Sequence, residues 1–125
     1  MGKILVIDDD PVVRSVIGRV LSREGYELLF ASDGEKGLRT FKVEQPDLVI
    51  CDIIMPEREG IETIRAMMAS RPDASIIAIS GGGRLANADF LSMAAAFGAK
   101  EVLSKPFAAT ELTEAVRRVL HPQSF

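Results

Sequence analysis

Two short β-branched runs end in carboxylates: Ile4-Leu5-Val6-Ile7 leads into Asp8-Asp9-Asp10, and Leu48-Val49-Ile50-Cys51 leads into Asp52. Runs of this length followed by helical patterns read as buried parallel strands, which present ligands at their carboxyl ends. If the two strands are neighbours, Asp8, Asp9 and Asp52 converge on one crevice. Clustered carboxylates repel, so their charge has to be relieved by protonation, water or a cation. An oxygen-only set suits a hard divalent ion, magnesium above all. Asp10 stands before Pro11 and reads as a helix cap instead.

The elements that must position these acids alternate five times. Strands are expected at Lys3–Ile7, Tyr26–Ala31, Leu48–Cys51, Ser75–Ile79 and Glu101–Ser104. The first helix carries Val12, Val13, Val16, Ile17, Val20 and Leu21 at helical spacing and stops at Gly25. Ser32-Asp33-Gly34-Glu35 reads as a capping box for a second helix that Pro46 closes. Gly60 opens a third, which ends before Pro72, and a fourth is expected over about 87–97, ending at Gly98. The last has Leu112, Ala115, Val116, Val119 and Leu120 on one stripe. Five βα units imply an α/β fold: a doubly wound, five-stranded parallel sheet with helices on both faces. The flavodoxin-like order 2-1-3-4-5 is predicted, with its crevice between the first and third strands.

Composition narrows the function classes. The chain has 125 residues, enough for one core, so a single domain over 1–125 with a core at about 3–120 is expected. Its 47% hydrophobic content excludes a disordered chain. A net charge of −3 with scattered Lys and Arg favours neither nucleic acid nor an anionic membrane as a partner. No apolar stretch approaches the roughly 20 residues that span a bilayer, and Met1-Gly2-Lys3 runs straight into a strand. The single Cys51 is compatible with a reducing cytoplasm, the expected location, and reads as a buried small hydrophobe.

Further motifs sit at the remaining strand ends. Asp52 is followed by Met55-Pro56 and Gly60; the fourth strand ends Ile79-Ser80-Gly81-Gly82-Gly83; the fifth ends Leu103-Ser104-Lys105-Pro106-Phe107. No G-K-[ST] follows the glycine run, so a Walker phosphate loop is not supported. With the acid pair after the first strand, these segments resemble the receiver domain of two-component response regulators. The resemblance covers essentially the whole chain.

The resemblance implies a role for each matching residue. Asp52 would be the phosphoacceptor, attacking a phosphoryl group to form an aspartyl phosphate. Asp9 would bind Mg2+ directly and Asp8 largely through water, with Asp52 and the Ile54 carbonyl completing the protein ligands. Lys105 would pair with the phosphoryl oxygens, followed by a cis Pro106. The Ser80 hydroxyl and the backbone N–H groups of Ile53 and Gly81 would donate to the same oxygens. The implied partners are a histidine kinase or phosphotransfer protein and a downstream protein. The receiver would be a monomer or weak dimer, and would be no enzyme beyond assisting its own phosphorylation and dephosphorylation.

Val102 departs from the family, which commonly places Tyr, Phe or His three residues before the lysine. A valine has no ring to swing, so the loop from Gly81 and the helix over 87–97 are expected to carry the conformational signal. The chain also ends soon after its fifth helix, with no output domain expected. Three alternatives stay open at this stage. One is a degenerate receiver that binds proteins without phosphate. The others are an aspartate-nucleophile phosphohydrolase, although Ile54 stands where its second acid belongs, and a flavodoxin, although the acidic crevice would repel a ring phosphate.

Overall fold

The computed structural model describes residues 2–53, 59–80 and 96–122. Five strands, β1 (Lys3–Ile7), β2 (Glu27–Ala31), β3 (Leu48–Asp52), β4 (Ile76–Ser80) and β5 (Glu101–Ser104), form one sheet in the order β2-β1-β3-β4-β5. Every pairing is parallel. The described helices are α1 (Pro11–Arg23), α2 (Gly34–Glu44), α3 (Glu59–Ser70) and, at the carboxyl end, α4 (Ala109–Leu120). The fold is the expected flavodoxin-like one. Most of the helix expected over 87–97 lies outside the described residues.

Side-chain alternation along β1 explains the two cores. Ile4 and Val6 join Ile50, Ile77 and Ile79 against Ile17 and Leu21 of α1 and Leu112 and Val116 of α4. Leu5 and Ile7 join Val49, Cys51 and Ile76 on the other face, against Phe41 of α2 and Ile64 and Met67 of α3. The inner strands β1, β3 and β4 are buried on both faces, as parallel strands covered by crossover helices must be. No described helix is long and apolar enough to cross a membrane.

Local chemistry sets the helix limits. Asp10 caps α1 by accepting from the Val12 N–H at 2.8 Å, with Pro11 in the first turn. At the other end the Gly25 N–H donates to Ser22 and the Tyr26 N–H to Leu21, closing the helix with Gly25 at φ 93°. That conformation suits a residue without Cβ. The second helix starts one residue later than the capping box predicts. Asp33, not Ser32, is its N-cap, accepting from the Lys36 N–H at 2.8 Å. The strand shifts are as small: β2 starts at Glu27, β3 reaches Asp52 and β4 runs over Ile76–Ser80.

Phe41 anchors one layer. It is 2% exposed, and the Arg71 guanidinium lies 4.5 Å above its ring while donating to the Pro46 carbonyl. Phe41→Ala is therefore expected to cost about 3–5 kcal/mol of unfolding free energy in a urea titration. A loss under about 1 kcal/mol would contradict this packing.

Candidate functional site

Strand register gathers the site. Ile7 pairs with Cys51, so Asp8, the next residue, lies beside Asp52 at the ends of β1 and β3. Asp52 pairs with Ile79 and Ser80 with Ser104, which brings Ser80 and Lys105 to the same rim. Carboxylate oxygens of Asp8, Asp9 and Asp52 all lie within 4.8 Å of one another. Asp8 and Asp52 are buried, at 0% and 2% exposure, whereas Asp9 faces solvent.

One ammonium serves both buried acids. Lys105 Nζ donates to Asp52 Oδ2 at 3.0 Å and lies 3.1 Å from Asp8 Oδ2. The second contact is an ion pair, less well aligned than the first. Burial works against the charged lysine, but the contacts with Asp52 and then Asp8, and the charges of both carboxylates, outweigh it. The Lys105 pKa consequently stands above the ordinary lysine value. Lys105-Pro106 is cis, as the resemblance implied, and the Lys105 N–H donates to the Ser80 carbonyl at 2.8 Å.

The loop after β1 is fixed by its own polar groups. Asp8 Oδ1 accepts from the Asp10 N–H at 2.9 Å, and Arg14 Nη1 donates to the Asp8 carbonyl at 2.7 Å. Sequence reasoning passed over Arg14; the available sign was a cation one turn into a helix whose cap follows an acid pair. Gly60, expected as a helix opener and as part of the motif after Asp52, has a steric role that the sequence does not show. A Cβ there would overlap the Asp52 carbonyl oxygen and lie 2.5 Å from Ile53 Cα, so only glycine lets α3 start directly against the end of β3.

The other expected residues divide. The Ser80 hydroxyl is fully buried and has no hydrogen-bond partner among the described residues. The Ile53 N–H donates to the Ile79 carbonyl at 3.1 Å, because the parallel ladder continues one residue past Asp52. The amide expected to donate to a phosphoryl oxygen is thus engaged by β4 in the resting structure, and a phosphoryl oxygen would share that donor. Ile54 and Gly81 lie outside the described residues, as does most of the segment expected to carry the signal. Val102 packs on the core beside Phe97 and Ala99.

A buried hydroxyl without a partner is a cost to the resting state. Ser80→Ala is accordingly expected to lower unfolding free energy by no more than about 0.5 kcal/mol, and can raise it. A loss above about 1.5 kcal/mol in chemical denaturation would mean that the hydroxyl is bonded in the resting state.

Known proteins resemble this chain in sequence and fold. The family model described as response regulator receiver domain matches residues 4–117. The chemotaxis protein CheY of Thermotoga maritima is 35% identical over 121 residues, covering 95% of this chain and 98% of that one. The transcriptional regulatory protein CpxR of Escherichia coli K12 is 32% identical over 120 residues. The match takes in 96% of this chain but spans only 50% of CpxR. A response regulator receiver domain structure from Clostridium thermocellum superposes with a TM-score of 0.87 at 34% identity, covering 98% of this chain and 97% of that one. One from Methanospirillum hungatei JF-1 gives 0.88 at 27%, with 98% and 96% covered. By sequence over nearly its whole length and by fold, the chain belongs to the response regulator receiver domain family of two-component systems.

Proposed function

We propose that this receiver accepts a phosphoryl group on Asp52 from a phosphohistidine of a histidine kinase or phosphotransfer protein. A carboxylate oxygen of Asp52 attacks phosphorus, the phosphorus–nitrogen bond breaks, and the released imidazole takes up a proton. The observation that carries this is the Asp52 carboxylate held at 3.0 Å by Lys105, with a buried Ser80 hydroxyl at the same rim that has no partner among the described residues. Lys105 exchanges a carboxylate oxygen for a phosphoryl oxygen as charge moves outward, and Ser80 Oγ gains the acceptor it lacks. Both changes stabilise negative charge on the phosphoryl group, in transit as well as once bound. In that way the domain assists its own phosphorylation and dephosphorylation, and it is no enzyme toward other substrates.

The residues fit a magnesium ion. The three side-chain donors are carboxylate oxygens within 4.8 Å of one another, one ammonium is shared by Asp8 and Asp52, and Asp9 is open to water. Asp9 would hold the ion directly, Asp8 largely through water, with Asp52 and the Ile54 carbonyl as further ligands. When bound, the ion offsets negative charge on the carboxylates and the transferring group. Asp8 and Asp52 would be kept near each other by Lys105 whether or not the ion is present.

The phosphorylated domain signals by docking onto another protein, in the cytoplasm, as a monomer or weak dimer. The acidic rim and net charge of −3 offer nothing to nucleic acid. Incubation with magnesium and a small acyl phosphate, followed by intact mass measurement, tests the proposal. One phosphate adduct is expected, absent in Asp52→Asn and reduced at least about tenfold by chelation, since metal neutralisation contributes several kcal/mol to such transfers. No adduct under these conditions would favour a phosphorylation-independent interaction module. Sustained turnover of an added phosphoester would favour a phosphohydrolase.

A further inference from the structure

The outer edge of the sheet carries a second feature. β2 is the edge strand, and its outward side lies in a valley between α1 and α2. The Glu27 N–H and the Ala31 carbonyl are bonded toward β1. By the two-residue period of a parallel ladder, the main-chain groups of Leu28 and Phe30 therefore face outward. Phe30 lines every part of this valley and is 48% exposed. A Cβ on Gly18 would sit 2.6 Å from the Phe30 ring, so the bare α1 backbone supports one side of the ring and leaves the rest open. Val43 adds a second apolar surface, 77% exposed, on the α2 side.

The walls are mainly cationic, and Glu44, the one acid in the lining, is paired with Lys3 at 3.2 Å. Arg14 and Arg19 project from α1, and Lys36 and Arg39 from α2. The three arginines form no ion pair among the described residues, and Lys36 has only Asp33 at 4.0 Å. In a chain of net charge −3 this is a local excess of positive charge. Charges alone would guard an edge strand against aggregation. Guarding does not need a half-open aromatic ring at the centre of the charges.

We propose that the β2 edge is a docking groove for an acidic, extended segment of a partner protein. The segment would add to the sheet as a further strand, its main chain pairing with Leu28 and Phe30. Its apolar side chains would cover Phe30 and Val43, and its carboxylates would meet the arginines of both walls. A second copy of this chain and a purely electrostatic anion site are the competing occupants. Arg14 also bonds the Asp8 carbonyl, so the test uses Lys36 and Arg39, which touch none of the acceptor-site residues.

The test titrates the isotope-labelled full chain with a short peptide of alternating glutamate and valine around a central phenylalanine. Amide shifts are expected at Leu28 and Phe30 and along the 36–43 stretch. Lys36→Glu with Arg39→Glu should weaken binding about tenfold or more, as for charge pairs across an interface. An N-methylated peptide of the same sequence should also lose binding, because it cannot pair its main chain. Equal affinity for the methylated peptide would overturn the added strand in favour of a simple anion site. Shifts confined to other surfaces would overturn the location. A wild-type dimer dissolved by Phe30→Glu, with no peptide binding, would assign the groove to a second copy.

Discussion

Two carboxylates shut away from water share one lysine. Asp8 and Asp52 are buried side by side, and Lys105 Nζ stands within 3.1 Å of both. A buried charge pair gives little net stability, and apolar side chains of similar size would often serve the fold better. The arrangement is therefore a burden the sheet carries, and it makes sense only if the charges are used. Ser80 Oγ, buried and without a hydrogen-bond partner among the described residues, points the same way. The resting site holds a donor that a phosphoryl group would satisfy, and two acids that rely on a single ammonium.

The sheet makes this burden possible. Strong apolar strands, buried on both faces, fix a register that cannot slip by one residue without turning each core side chain to the wrong face. With that register fixed, the residues just past Ile7, Cys51, Ile79 and Ser104 must meet at one rim. The stabilising interactions lie in the two apolar layers, and the charged residues are placed by them. Gly60 and Arg14 complete the placement, one by admitting α3 against the Asp52 carbonyl, the other by bonding the Asp8 carbonyl.

Much of this was legible in the sequence. Strand order and the meeting of Asp8, Asp9 and Asp52 follow from β-branched runs that end in acids and from the alternation of strand and helix. Lys105 and Ser80 gained meaning only together, through the family resemblance, because a lone lysine or serine has no chemical signature. What escaped the sequence depends on distances between elements. The commitment of the Ile53 N–H to Ile79 requires knowing that the β3–β4 ladder continues past Asp52. The one-residue shift of the α2 cap arose because Ser32 and Asp33 are both good caps, and composition does not choose between them. The valley at β2 was invisible for the same reason: Phe30, Gly18 and Arg39 lie on three different elements.

Two surfaces thus divide the work of one sheet. The carboxyl rim gathers negative charge around a lysine, and the β2 edge gathers positive charge around an aromatic ring. Which carboxylate becomes covalently modified decides whether the rim works as described. Borohydride reduction of the acyl-phosphate-treated protein, followed by peptide mass mapping, converts a phosphorylated aspartate to homoserine and reports its position. Conversion at Asp52 and nowhere else is the expected result. Conversion at Asp8, Asp9 or Asp10 instead would contradict the assignment of acceptor and metal ligands.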